Sequence, residues 1–239
     1  MRVDLAAAFR LAVRLDLHEG VCNHFSVMLP GGKGFLLNRY GLHWSEVSAS
    51  NLLTLDADGN VLEGEGEFEK TAFYIHSRIH LAHPRATCVL HTHMPYATSL
   101  TLLEGGRLEM VEQNALRFHD DIAYDDVYNG LVVDNAEGDR LARALGGKRV
   151  MFLANHGVIV VGPTVAEAFD AMYYLERACR LQVLARSIVA NSGGKLRPVR
   201  PEVVEQTYKL ILADAPKYAG AHFEALKRIL DREEPGYSR

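Results

Sequence analysis

Two apolar runs, RVMFLA and GVIVVG, are separated only by Asn155-His156, which with Gly157 form the link between them. A strand with one wetted face alternates apolar and polar residues, whereas a continuous apolar run marks a strand covered on both faces. The spacing therefore predicts two buried strands joined by a tight turn. The rest of the chain supplies their neighbours and covers. HFSVMLP and GFLLN flank Gly31-Gly32, and NLLTL and VLEG flank Asp58-Gly59-Asn60, two hairpin patterns. ATCVLHTH is a further strand that stops at Met94-Pro95.

Helical periodicity predicts a first helix over 3–17, with Leu5, Ala8, Phe9, Ala12 and Val13 on its apolar side and Gly20 beyond its end. A second runs from Lys70 to Ala82, with Pro84 marking its end, and a shorter one covers YATSLTLLE. Asp134-x-x-Glu137 and Thr164-x-x-Glu167 read as capping boxes, opening helices that reach Gly146-Gly147 and Ile188. HFEALKRILDR predicts a last helix, and 105–129 mixes loop with short strands. Strands interleaved with helices, some joined by hairpins and some by crossovers, define an α/β fold with a sheet of mixed direction covered by helices. No repeat, low-complexity tract or linker divides residues 1–239, so one domain is expected.

The 239 residues carry a net charge of −4, without the clustered Lys and Arg that nucleic-acid binding needs. No apolar run approaches the roughly 20 residues needed to span a bilayer. The N-terminal segment is interrupted by Asp4, Arg10, Arg14 and Asp16 at helical spacing, so it reads as an amphipathic helix and not as a leader. Cys22, Cys88 and Cys179 are an odd number in apolar settings, which predicts buried free thiols and a cytoplasmic protein.

Chemistry enters with the histidines. His91 and His93 lie two apart on a predicted strand, so both side chains leave one face with Cα atoms about 6.5–7 Å apart. Imidazoles at that separation can converge on one ion, with Zn–N bonds of about 2.0–2.1 Å. An isolated His-x-His pair also fits two half-buried histidines bonded to their neighbours. His156 sits in the turn between the two apolar strands, where Gly157 permits a backbone angle or close approach that a Cβ would forbid. A turn imidazole can be merely exposed. Three imidazoles at the edges of buried strands would, however, make the three-ligand set of a catalytic metal site with one position open.

HTHMPYATSL and ANHGVIVVGPTVAEAFDAMYYLERACRLQVLA resemble the class II aldolase/adducin family, and the similarity extends to about residue 200. The resemblance implies a three-layer α/β/α sandwich around a mixed, largely antiparallel sheet. It also implies a divalent metal ion, usually zinc and sometimes manganese, held by His91, His93 and His156. A homotetramer with active sites between subunits is implied as well.

The departures from the family are informative. Its sugar-phosphate aldolases carry Pro-Ser-Ser-Glu at the start of the helix before the His-x-His strand, where the Glu is the acid/base and the serines help hold phosphate. Here that stretch reads Glu69-Lys70-Thr71-Ala72, so Ala72 stands at the Glu position. The family's early Gly-Asn turn reads Val21-Cys22-Asn23-His24-Phe25-Ser26. Asn23, Lys70 and Thr71 are the candidate substrate contacts, and Lys70 and Thr71 at a helix N-terminus suit a carboxylate as well as a phosphate. Glu69, Glu112 and Tyr124 are candidate replacement bases, each of which also fits a surface or packing role. These changes bring the chain closer to the adducin-like subgroup.

His76 and His80, four apart on the second helix, read as helix-to-sheet packing, since Ser77 stands where the Glu of HExxH would be. His24, His43 and His119 approach the site only if the fold brings them there. No hydrolase elbow, phosphate loop or dinucleotide fingerprint occurs. The tail DREEPGYSR reads as a solvated end or an intersubunit arm. The functional expectation is a metal-dependent lyase, aldolase or decarboxylase, working through a stabilised enolate on a small hydroxy or keto compound. The alternative is an adducin-like interaction or structural module without chemistry.

Overall fold

The apolar pair predicted around His156 lies inside an eight-stranded sheet. The structure, a computed structural model, describes residues 1–83 and 85–239. In chain order the strands are β1 (His24–Met28), β2 (Phe35–Leu37), β3 (Leu53–Leu55), β4 (Val61–Glu63), β5 (Cys88–Thr92), β6 (Ile122–Asp125), β7 (Val150–Leu153) and β8 (Gly157–Gly162). Their spatial order is β4-β3-β2-β1-β5-β8-β7-β6, and every adjacent pair is antiparallel except β6 with β7. The expected mixed, largely antiparallel sheet is present. Both hairpins form as their turns predict.

Among the described residues six α-helices cover the sheet: α1 (Arg2–Arg14), α2 (Lys70–Ala82), α3 (Pro95–Thr101), α4 (Asn135–Leu145), α5 (Val165–Ser192) and α6 (Pro201–Glu233). Strand alternation divides the core between two faces. On β5 and β8, Cys88, Leu90, Val158 and Val160 pack into the cluster built with α1, α3 and α5. Val89, Ile159 and Val161 face the opposite way, into the cluster with α2 and α4. Each of these side chains contributes about 1.5–3 kcal/mol by leaving water. The result is the three-layer sandwich. On the α2/α4 face the alternation also sets His24 and Ser26 of β1 and His91 of β5, away from Phe25 and Val27.

Of the two expected capping boxes the N-cap half forms, while the Glu137 carboxylate turns to Arg140 and that of Glu167 to the Thr164 hydroxyl. The Asp134 carboxylate accepts the Glu137 N–H at 2.9 Å, and the Thr164 hydroxyl accepts the Glu167 N–H at 3.1 Å. Helix α2 spans Lys70–Ala82 as predicted; Pro84 itself lies outside the described residues.

Three expectations are corrected. Helix α6 begins at Pro201, twenty-one residues before HFEALKRILDR, because Pro201 occupies its first turn and Pro216 and Gly220 sit inside it without ending it. Tertiary packing overrides those local breakers: Val204, Ala219, Phe223 and Leu230 are buried, and the Tyr174 and Tyr218 hydroxyls of α5 and α6 meet at 2.8 Å. Cys22 is exposed, while Cys88 and Cys179 are buried free thiols. The tail is exposed at most positions, as a solvated end would be, yet it is tied back to the chain. Tyr237 is buried, its hydroxyl donating to Asp231 at 2.6 Å, and the Arg239 carbonyl accepts the Ser50 N–H at 2.7 Å. No helix among the described residues is long and apolar enough to cross a membrane.

Candidate metal centre

Strand β5 ends at Thr92, so His91 is its penultimate residue and His93 the first residue beyond it. His156 comes from the turn before β8, the antiparallel neighbour of β5. That turn requires a left-handed residue at Asn155 (φ +56°) and a residue without a side chain at Gly157. A Cβ on Gly157 would stand 2.6 Å from the Thr92 carbonyl and 2.7 Å from the His93 ring. Glycine is needed here for close approach. The turn therefore sets His156 against His91 and His93.

One nitrogen from each of the three rings lies within 4.8 Å of the others. Ring centroids are 4.8–5.0 Å apart for all three pairs. The Nδ1–H of His91 donates to the Val158 carbonyl at 3.0 Å, and the Nδ1–H of His93 donates to the Glu19 carboxylate. Each bond leaves Nε2 as the free lone pair, the arrangement that orients a metal-binding imidazole. The Nε2 of His93 is buried and has no hydrogen-bond partner among the described residues. Burial, and then the neighbouring rings, holds His91 well below the ordinary histidine range and His156 down at about 4. Three convergent imidazoles with one orphaned nitrogen fit a divalent cation.

The site opens into a cleft of about 300 Å³ lined by His24, Thr71, Ile75, Tyr128, Leu131, Val132 and Asn155 with the three histidines. Of the candidate substrate contacts, Thr71 lines it. Asn23 lies beside it, its carbonyl oxygen accepting the His93 N–H at 3.2 Å. Lys70 is exposed and does not line the cleft. The anion position at the α2 N-terminus is already filled: the Glu69 carboxylate accepts the Ala72 N–H at 2.7 Å and the Thr71 hydroxyl.

The candidate bases are not brought together with the histidines in the single chain. Glu69 is that helix cap. Glu112 accepts the N–H groups of Asn114 and Ala115 at 2.8 and 2.7 Å, capping the turn at Ala115–Phe118. Tyr124 accepts the Leu108 N–H at 3.1 Å beneath the Arg107 guanidinium, and burial raises its phenol further from neutrality. Ala72 is buried among Phe35, Leu37, Leu53 and Leu55. His43 pairs with His18 and His119 packs near Tyr208, both away from the cleft.

His24 does reach the cleft, and Glu19 supports His93. Neither placement is legible locally. The antiparallel register that pairs β1 with β5 puts His24 opposite His91, and Glu19 arrives from the loop before β1.

The fold and the histidine cluster agree with similarity across the chain. Residues 3–183 match the Class II Aldolase and Adducin N-terminal domain family. An aldolase II superfamily protein from Pseudomonas syringae superposes with a TM-score of 0.90 at 34% identity, covering 99% of this chain and 94% of that one. The L-fuculose 1-phosphate aldolase of Glaciozyma antarctica PI12 gives a TM-score of 0.86 at 25% identity, with coverage of 100% and 92%. Alpha-adducin of Mus musculus is 31% identical over 247 residues, which span 97% of this chain and 33% of the adducin. The chain belongs to the class II aldolase/adducin family.

Proposed function

We propose that the chain is a divalent-metal-dependent lyase that cleaves a carbon–carbon bond in a small hydroxy or keto compound, with His91, His93 and His156 holding the ion. The observation that carries this reading is the convergence of three imidazole nitrogens within 4.8 Å, one of them buried without a partner among the described residues. A zinc or manganese ion bound there would polarise a carbonyl and stabilise the enolate left when the bond breaks. The protein's own part is orientation and exclusion. Val158 and Glu19 fix His91 and His93, while Ile75, Leu131 and Val132 line the cleft with apolar surface.

The substrate reading is narrower than a sugar phosphate. Neither Lys nor Arg lines the cleft among the described residues, and the α2 N-terminus is occupied by Glu69. A neutral or carboxylate-bearing compound suits such a wall better than a phosphate ester. Decarboxylation needs an electron sink and a proton; aldol cleavage also needs an acceptor for a hydroxyl proton. A homotetramer fits Val127, Leu131 and Val133, each more than half exposed near the cleft, and a cytoplasmic location fits the two buried free thiols.

A non-catalytic interaction module is the second reading, favoured by the alpha-adducin similarity and by Ala72. Metal analysis of the purified protein separates the two. The lyase reading expects about one divalent ion per chain and its loss in His91→Ala with the fold retained. A folded protein that takes up no zinc or manganese from solution ends it.

A further inference from the structure

Behind His24 runs a buried chain of hydrogen bonds whose polarity is fixed at its far end. His24 Nδ1 meets His76 Nε2 at 2.7 Å, His76 Nδ1 meets the Ser26 hydroxyl, and that hydroxyl meets His80 Nε2 at 2.7 Å. His80 Nδ1 ends the chain on the Ala86 carbonyl at 2.6 Å. A carbonyl only accepts, so His80 Nδ1 carries the proton. All four side chains are buried, and no carboxylate hydrogen-bonds to any ring of the chain among the described residues, so nothing compensates a charged imidazole. Burial pushes His80 down to about 4 and His76 well below the ordinary range.

With neutral rings only one pattern satisfies every atom. His80 Nε2 is a lone pair and accepts the Ser26 hydroxyl. The Ser26 oxygen then accepts His76 Nδ1–H, and His76 Nε2 accepts His24 Nδ1–H. His24 is left with a bare Nε2, the ring atom that remains for the cleft it lines beside His91. We propose that His80, Ser26 and His76 lock His24 in the Nδ1–H tautomer, making its Nε2 a fixed acceptor for a substrate hydroxyl next to the metal centre. The cleft would thereby select α-hydroxy carbonyl or carboxylate compounds over analogues without the hydroxyl. His24 is the substrate contact; His76, Ser26 and His80 are positioning residues. Selection of the substrate rests on the lyase reading, whereas the tautomer does not.

The test is nitrogen NMR of protein labelled with ¹⁵N-histidine, first without metal. The expected spectrum has a bare Nε2 and a protonated Nδ1 at His24. In Ser26→Ala the link is cut, His76 is free to reverse, and a second His24 population protonated at Nε2 appears; Ser26→Thr restores the single form. A wild-type His24 protonated at Nε2 overturns the proposal, as does a tautomer indifferent to Ser26→Ala. In zinc-loaded protein, glycolate should shift the His24 Nε2 resonance toward the hydrogen-bonded position and acetate should not. Equal shifts with both probes overturn the hydroxyl selection. Failure of zinc to bind would count against the lyase reading alone, because the metal-free spectra decide the tautomer.

Discussion

His24 and His91 stand directly opposite each other across β1 and β5, their rings 4.8 Å apart and 30° from parallel. The pair joins two systems on one face of the sheet. His91 belongs to the cluster of three imidazoles, and His24 to the chain that runs back through Ser26 beneath α2. An antiparallel register accomplishes this with one backbone pairing, and a slip by one residue would send His24 to the opposite face.

Glu19 holds His93 from outside the sheet. Replacing its carboxylate removes the acceptor that orients the ring, and such supporting contacts are worth about 10- to 100-fold in metal affinity. Because Glu19 is largely exposed, Glu19→Ala is expected near the lower end, a loss of about 10-fold in zinc affinity. Competition against a chromophoric chelator measures it, and an unchanged affinity would show that the Glu19 carboxylate does not orient the His93 ring.

Gly157→Ala places a methyl group against the Thr92 carbonyl and the His93 ring. Relief requires the turn or the His93 ring to shift, at a cost of about 1–3 kcal/mol. Zinc affinity should fall together with stability. Full zinc binding in a stable Gly157→Ala protein would show that the close approach is dispensable.

Acid should destabilise the fold before it protonates the buried histidines. His80 is held down to about 4, against about 6.5 in an unfolded chain. Between those values the unfolded state binds the extra proton, so stability is complete above about pH 6.5 and falls as pH drops toward 4. The single residue contributes roughly 3 kcal/mol over that window. Urea midpoints of metal-free protein at pH 7.5 and 5 test this, and His80→Gln should flatten the difference. A midpoint that holds or rises on acidification contradicts it.

Tyr237 anchors the chain end far from the chemistry. Tyr237→Ala empties a fully buried aromatic site and frees Asp231, with an expected loss of roughly 3 kcal/mol. Zinc stoichiometry should be retained, since none of these groups lines the cleft. Thermal unfolding with metal analysis reads both quantities, and an unchanged melting temperature would refute the anchoring role.

The sequence by itself determined the elements whose signals are local. Continuous apolar runs marked β7 and β8, the Asp-Gly turn marked the β3–β4 hairpin, and oxygen caps at Asp134 and Thr164 opened two helices. Side-chain alternation and the turn at Gly157 made His91, His93 and His156 candidates together. Only the tertiary structure decided their company. The register of β1 on β5 brought His24 to the cleft, the loop before β1 delivered Glu19, and the packing of α2 turned His76 and His80 into a hydrogen-bonded chain. Helix α6 crosses its own proline because the burial of Val204, Ala219, Phe223 and Leu230 outweighs one lost backbone bond. Local chemistry sets what each segment can become, whereas long-range pairing sets which side chains share a face, and short stretches of sequence carry no record of that pairing.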